Sequence, residues 1–231
     1  MVQRQTDINS TEALFQEGHD EALDLLRQCA SSDGFLASTT EHDNYRRIWA
    51  RDGVICGLAA LLSDESDLVH SFKQTLLSLA EYQGPHGEIP SNVDTLSGRV
   101  SYGGTTGRID ADLWFVIGCA EYWLATGDDE FIENLFPQLE KVRNLLGAWE
   151  FNNRGLLYIP PAGDWADEYL HSGYVLYDQL LYLQAQRSFC AIHHHIHHSL
   201  DHQLLDSKNR LKHLIQANYW FPDHDNVPDD V

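Results

Sequence analysis

The sequence has no apolar run of the roughly 18 residues that a membrane-spanning helix needs, so no membrane partner is expected. Its first residues, "MVQRQTDINSTEALFQEGHD", have no apolar leader core, and a cytoplasmic protein is expected. It is short of positive charge: 15 Lys and Arg stand against 35 Asp and Glu, a net charge of −20 with histidine neutral. That balance repels nucleic acid and disfavours anionic membranes and acidic substrates. A neutral, hydroxyl-rich ligand suits it. Cys29, Cys56, Cys119 and Cys190 form no CxxC pair, so reduced, buried thiols are expected rather than a zinc site. The run "HHHIHH" sets His193 with His197 and His194 with His198 at i,i+4. It has no HExxH and lacks the glutamate a zinc peptidase needs, so a solvated helix face is expected there. Neither a metal nor a cofactor is expected.

What is present is helix. Hydrophobic residues make up 43% of the chain and charged residues 22%, enough for a core in one soluble domain over residues 1–231. Nearly all-apolar segments start at Gly53, Asp110 and Ser172. Amphipathic segments follow from Asp67, Asp128 and Leu205. Only "LLYIP" and "GRVSYGG" look extended. Helices buried on two sides alternating with helices wet on one side predict two concentric layers, an all-α (α/α) barrel or toroid. An open helical repeat is the alternative.

Polar, aromatic-rich stretches precede each buried helix: "NYRRIWARDG", "SYGGTTGRIDADLW" and "PPAGDWADEYLHSGY". In a barrel these loops open at one end. They would build a pocket with Trp49, Tyr102, Trp114, Trp165 and Tyr169 as walls. Arg51, Asp52, Asp110, Asp112, Asp164, Asp167 and Glu168 are its candidate polar groups. Aromatic faces pack on the C–H faces of a sugar, and acids and guanidinium pair with its hydroxyls. Cleaving a glycosidic bond needs one protonated acid at the leaving oxygen and a second carboxylate across the ring. Burial beside tryptophan would help the first hold its proton. Plainer roles are open for each group. Asp110 could be an N-cap worth about 1 kcal/mol, Arg51 and Asp52 a structural ion pair, and "GDWADE" a surface turn. Asp110 and Asp112 stand two apart and do not share a helical face. One of them can enter a pocket, the other would cap or face solvent, and a metal clamp from this pair alone is not expected.

At these loops the chain resembles the six-hairpin glycosidases, the α/α toroids that include glucoamylases, trehalases, neutral invertases and the amylo-α-1,6-glucosidase domain of glycogen-debranching enzymes. "RRIWARDGVI" is similar to their W-x-R-D element. "GRIDADLWFVIGCAEYWLATGDDEF" is similar to the segment carrying the acid of neutral invertases, and "GDWADEYLHSGYVLYDQLLYLQA" to the third element. Residues from about Gly34 to Gln186 most resemble bacterial amylo-α-1,6-glucosidase-like proteins. The resemblance implies hydrolysis of an α-glucosidic bond, with inversion, and Asp110 as general acid. It implies sugar contacts from Trp49, Arg51, Asp52, Asp164, Trp165 and Glu168. Asp112 stands where relatives often have a small residue, and its role is open. The length matches the first half to two-thirds of a toroid, and the late glutamate that relatives use as second carboxylate has no counterpart here. A fragment, or a truncated and inactive product, is therefore expected. Alternatives are invertase- or trehalase-like specificity and a non-catalytic carbohydrate-binding half-toroid. A terpene cyclase would need DxDD or DDxxD, which "DADL" does not supply.

Overall fold

The structure, a computed structural model, describes residues 2–40, 45–166, 169 and 172–220, with the side chains of 2–10 and 152 set aside. Helix α1 spans Val2–Cys29, α2 Ala50–Leu61, α3 Ser66–Glu81, α4 Ile109–Thr126, α5 Asp129–Ala148, α6 Leu176–His197 and α7 His202–Tyr219. Helices α2, α4 and α6 form an inner row, with α4 packed between the other two. Each inner helix turns back into an outer one: α2 into α3, α4 into α5, α6 into α7. These three hairpins make an arc of an α/α toroid.

Burial follows the sequence pattern. Helix α4, "IDADLWFVIGCAEYWLAT", is buried on nearly every side because it has neighbours on both flanks. Helices α3 and α5 bury one stripe each, Leu68, Phe72, Leu76 and Leu79 in α3 and Ile132, Leu135, Leu139 and Val142 in α5. At the ends of the arc, Ile55 of α2 and Leu176 and Leu180 of α6 stand exposed. The inner row packs closely because glycines face its neighbours. A methyl group on Gly57 would lie 1.9 Å from the Phe72 ring, and one on Gly118 would lie 2.9 Å from Leu76 and Val54.

Helix boundaries have local causes. Gly127 ends α4 at φ 69°, its N–H donating to Trp123 O at 2.8 Å, a left-handed cap that glycine adopts without strain. Asp128 then caps α5 by accepting from Phe131 N at 3.1 Å, and Lys73 Nζ holds its other oxygen at 2.6 Å. Asp201 caps α7 by accepting from Leu204 N at 3.0 Å.

Among the described residues, five short strands accompany the helices. Strands β1 (Ala30–Ser31) and β2 (Gly34–Phe35) form a hairpin; β3 (Ile48–Trp49), β4 (Asn92–Asp94) and β5 (Arg99–Ser101) form an antiparallel sheet in that order. β5 lies in the "GRVSYGG" stretch. "LLYIP" contributes a single bridge, Ile159 to Gly173, rather than a strand. The other strands were not expected, because two or three residues are too few to establish an alternation. Their role is positional: Trp49 pairs with Asn92 and runs directly into α2, which fixes Trp49, Arg51 and Asp52 at one end of the arc.

The histidine run differs from the solvated face expected of it. His193 and His195 are half-buried; His195 packs against Trp123 at 4.8 Å between ring centres and lies 3.3 Å from Asp129. Helix α6 meets the end of α4 and the start of α5 on this side, which turns His195 inward. All four cysteines are free thiols, Cys29 and Cys119 buried, Cys56 and Cys190 partly so.

Candidate active site

The starts of α2 and α4 and the loop before α6 meet at one end of the inner row. A cavity of about 240 Å³ opens there. Tyr45, Trp49, Trp165 and Tyr169 wall it, and Arg51, Asp52 and Arg108 are its polar groups. Its volume is below the roughly 300–1,000 Å³ of drug-sized sites. Tyr45 stacks on Trp49 with ring centres 6.0 Å apart. The Arg108 guanidinium lies 5.9 Å from the Trp49 ring centre, and that of Arg51 lies 5.8 Å from Trp165. Each cation is thus held against an aromatic face.

Asp110 lies beneath this cavity, 2% exposed, in the first turn of α4. It is not the cap: Arg108 holds the N-cap position, and no side chain caps this helix end. Arg51 Nη1 donates to Asp110 Oδ2 at 3.2 Å, and Nη2 donates to Asp52 Oδ2 at 3.4 Å. Burial pushes the Asp110 carboxyl up to about 6, against the opposing charges of Arg51 and Arg108; the charge of Asp164 adds to the rise. Asp52 is the open acid, its side chain 41% exposed on the cavity wall.

Asp164 is 1% exposed and accepts from Ala166 N at 2.9 Å, which shapes the turn that presents Trp165. Behind it stands Asp178, fully buried in the first turn of α6. Burial, with the charges of Asp164 and Asp110, pushes Asp178 up to about 8. Tyr177, beside it, accepts from Trp114 Nε1 at 2.9 Å and takes the Trp165 ring edge-on at 6.2 Å.

Several expected members lie elsewhere. Asp112 neither caps nor faces solvent. It is buried, and its Oδ1 accepts from Ile89 N at 2.7 Å. Desolvation pushes its carboxyl well above the usual carboxylate range. With Tyr102, Glu88, Arg108 and Trp149 it lines a separate cavity of about 240 Å³. Tyr102, expected in the sugar pocket, belongs there and donates to Tyr82 O at 2.8 Å. Trp114 supports the pocket from behind through Tyr177 and does not line it. Asp167 and Glu168 lie outside the described residues. Sequence reasoning missed Tyr45, Arg108, Tyr177 and Asp178. Asp178 carried a readable signal, an acid at the start of an otherwise apolar helix, the same context that drew attention to Asp110.

Among the described residues no group of three or more His, Cys, Asp or Glu side chains is placed to hold a metal ion, and no helix is long and apolar enough to cross a membrane. A larger groove of about 710 Å³, lined by Leu176, Leu180, Ile215 and Trp220 among others, follows the open α6–α7 flank. It is apolar and lies away from the acids.

A helical arc with aromatic rings and buried acids gathered at one end of its inner row is the architecture of the six-hairpin glycosidases. Among solved structures, a rhamnosidase from Klebsiella oxytoca with rhamnose bound superposes with a TM-score of 0.69 at 18% identity. The match covers 87% of this chain and 38% of the rhamnosidase, so the chain spans well under half of that protein. No curated protein sequence shows a significant match. The sequence pattern of the alkaline and neutral invertases matches residues 28–227, and the chain belongs to that family.

Proposed function

We propose that this chain supplies the sugar pocket and the acid of a glycoside hydrolase acting on α-glucosidic bonds, with Asp110 as proton donor to the leaving oxygen. The observation that carries this reading is Asp110 itself, buried under an aromatic-walled cavity and pushed up to about 6. An acid in that range keeps a useful protonated fraction near neutral pH and gives its proton up readily. Trp49 and Trp165 would take the faces of the sugar, and Arg51 and Asp52 its hydroxyls. Arg51 shields Asp110, so a sugar hydroxyl that competes for the guanidinium would uncover the acid. The reaction would invert, with a second carboxylate activating water across the ring. Among the described residues the carboxylate that lines the cavity is Asp52, which shares one guanidinium with the Asp110 beneath it.

The preferred bond is the α-1,6 linkage of an amylo-glucosidase-like substrate. Membership of the invertase family favours sucrose as the second reading. Glucose release from isomaltose, maltose and sucrose, by the parent chain and by Asp110→Asn, tests both. Turnover of isomaltose that falls about 10²- to 10⁴-fold in the variant supports the first reading. Turnover of sucrose alone replaces it with the second. Saturable binding without turnover overturns hydrolysis in favour of a carbohydrate-binding role.

A further inference from the structure

The loop after α5 and one face of α7 enclose a cavity that the proposed chemistry does not use. It measures about 470 Å³, within the roughly 300–1,000 Å³ of small-molecule sites, and shares no residue with the sugar pocket. Helix α7 contributes Arg210, Leu214 and Asn218, at the i, i+4, i+8 spacing of a single helical face. In the loop, the chain reverses at Asn153 (φ 52°) and Gly155 (φ 75°), left-handed positions that asparagine and glycine adopt most readily, and Arg154 stands between them. Tyr174 completes the lining; its ring meets Tyr158 edge-on at 6.0 Å, and its carbonyl accepts from the Tyr219 hydroxyl.

Acids outnumber bases 35 to 15 in this chain, and Arg27, Arg51, Lys73 and Arg143 each hold a carboxylate. Arg154 and Arg210 line one cavity, yet among the described residues neither has a carboxylate within ion-pair distance. Arg210 Nη2 donates to Asn153 O at 3.0 Å, which ties α7 to the turn and leaves the remaining guanidinium donors for a ligand. Glu150, the nearest acid along the chain to Arg154, accepts from Gly155 N. Asn218 Nδ2 donates to Leu214 O at 2.7 Å, so its carbonyl end is the one offered to the cavity.

We propose that this cavity binds the phosphate monoester of a small sugar: Arg154 and Arg210 take the phosphate oxygens, the Asn218 carbonyl accepts a hydroxyl, and Tyr174 and Leu214 meet the C–H face of the ring. Guanidinium groups hold phosphate oxygens through paired, charge-assisted hydrogen bonds. The amide acceptor and the aromatic wall have no use for a bare phosphate ion and suit a hydroxyl-bearing ring attached to it. The net charge of −20 repels anions at long range, so an anion is held only where cations are gathered locally. The proposal is independent of the hydrolase reading, because no group of the Asp110 pocket takes part.

The test is a calorimetric titration of the whole chain with glucose 6-phosphate at low salt, with glucose and inorganic phosphate as parallel probes. Saturable binding of the sugar phosphate is expected, tighter than either parallel probe by about 10-fold or more. Arg154→Gln and Arg210→Gln should each weaken it by about 10-fold or more. Arg51→Gln, in the sugar pocket, should leave it unchanged. Arg154 is exposed, so Arg154→Gln keeps the test open if Arg210→Gln does not fold. Inorganic phosphate bound as tightly as glucose 6-phosphate would overturn the sugar as part of the ligand. No saturable binding, affinity unchanged in both glutamine variants of this cavity, or affinity lost in Arg51→Gln would overturn the site.

Discussion

Arg51 lies across Asp110, Nη1 to Oδ2 at 3.2 Å, and closes the acid off from the cavity above it. Two opposing effects meet at that contact. Burial favours the neutral carboxyl, and the guanidinium favours the charged one; burial is the larger, which leaves Asp110 at about 6 rather than at its ordinary 3.8. The same guanidinium faces the pocket where a sugar hydroxyl would compete for it.

Replacing Arg51 by Gln removes the charge and the hydrogen bond that hold Asp110 down. The Asp110 midpoint should rise by roughly one pH unit, seen by carboxyl NMR. A fall would mean that the cation does not act on this acid.

Stability should depend on pH through the buried acids. Asp110 and Asp178 bind their protons more tightly in the folded chain, at about 6 and about 8, than at the unfolded value of 3.8. Their contribution is complete below the unfolded value and is lost as pH rises, first through about 6 and then through about 8. Asp128 works in the other sense: Lys73 holds it down, so its contribution is lost as pH falls through its lowered value. Asp178→Asn should therefore stabilise the chain by about 1–3 kcal/mol near pH 9 and change little near pH 4. Urea unfolding at the two pH values measures this.

Asp112 has a structural task, accepting the buried N–H of Ile89. Asp112→Leu should cost about 1–3 kcal/mol by leaving that donor unsatisfied. Asp112→Asn keeps an acceptor oxygen, avoids a buried charge, and should be close to neutral in urea unfolding. Equal losses in both variants would remove the acceptor role.

The inner row should resist added volume. Gly57→Ala places a methyl 1.9 Å from the Phe72 ring and should destabilise by about 1–3 kcal/mol. Gly147→Ala, in α5 with nothing within 4 Å of the added methyl, should stabilise by about 0.5–1 kcal/mol through helix preference. The thermal midpoints of the two variants should move in opposite directions.

Much of this architecture is legible in the sequence, for identifiable reasons. The buried–amphipathic alternation survives because α4 has neighbours on both sides while α3 and α5 keep a wet face, so layer position is written in periodicity. The joining of Trp49, Arg51, Asp110 and Trp165 follows from loops that open at one end of parallel inner helices. Side-chain direction is less legible. Tyr102 and Trp114 stand close in sequence to Asp110, yet one lines a neighbouring cavity and the other braces Tyr177. A turn of helix or a short strand decides such placements, and neither leaves a pattern. The acid of Asp178 is readable at its helix start, but its burial is not, because an acid there is ordinarily explained by the helix dipole.

Glucose release from isomaltose by a complete homologous toroid, with this aspartate intact and in the variant equivalent to Asp110→Asn, at equal protein concentration near pH 6, tests the acid most directly. The expected result is turnover by the intact protein and a loss of about 10²- to 10⁴-fold in the variant, with saturable sugar binding retained. Equal rates in the two proteins would contradict Asp110 as the proton donor.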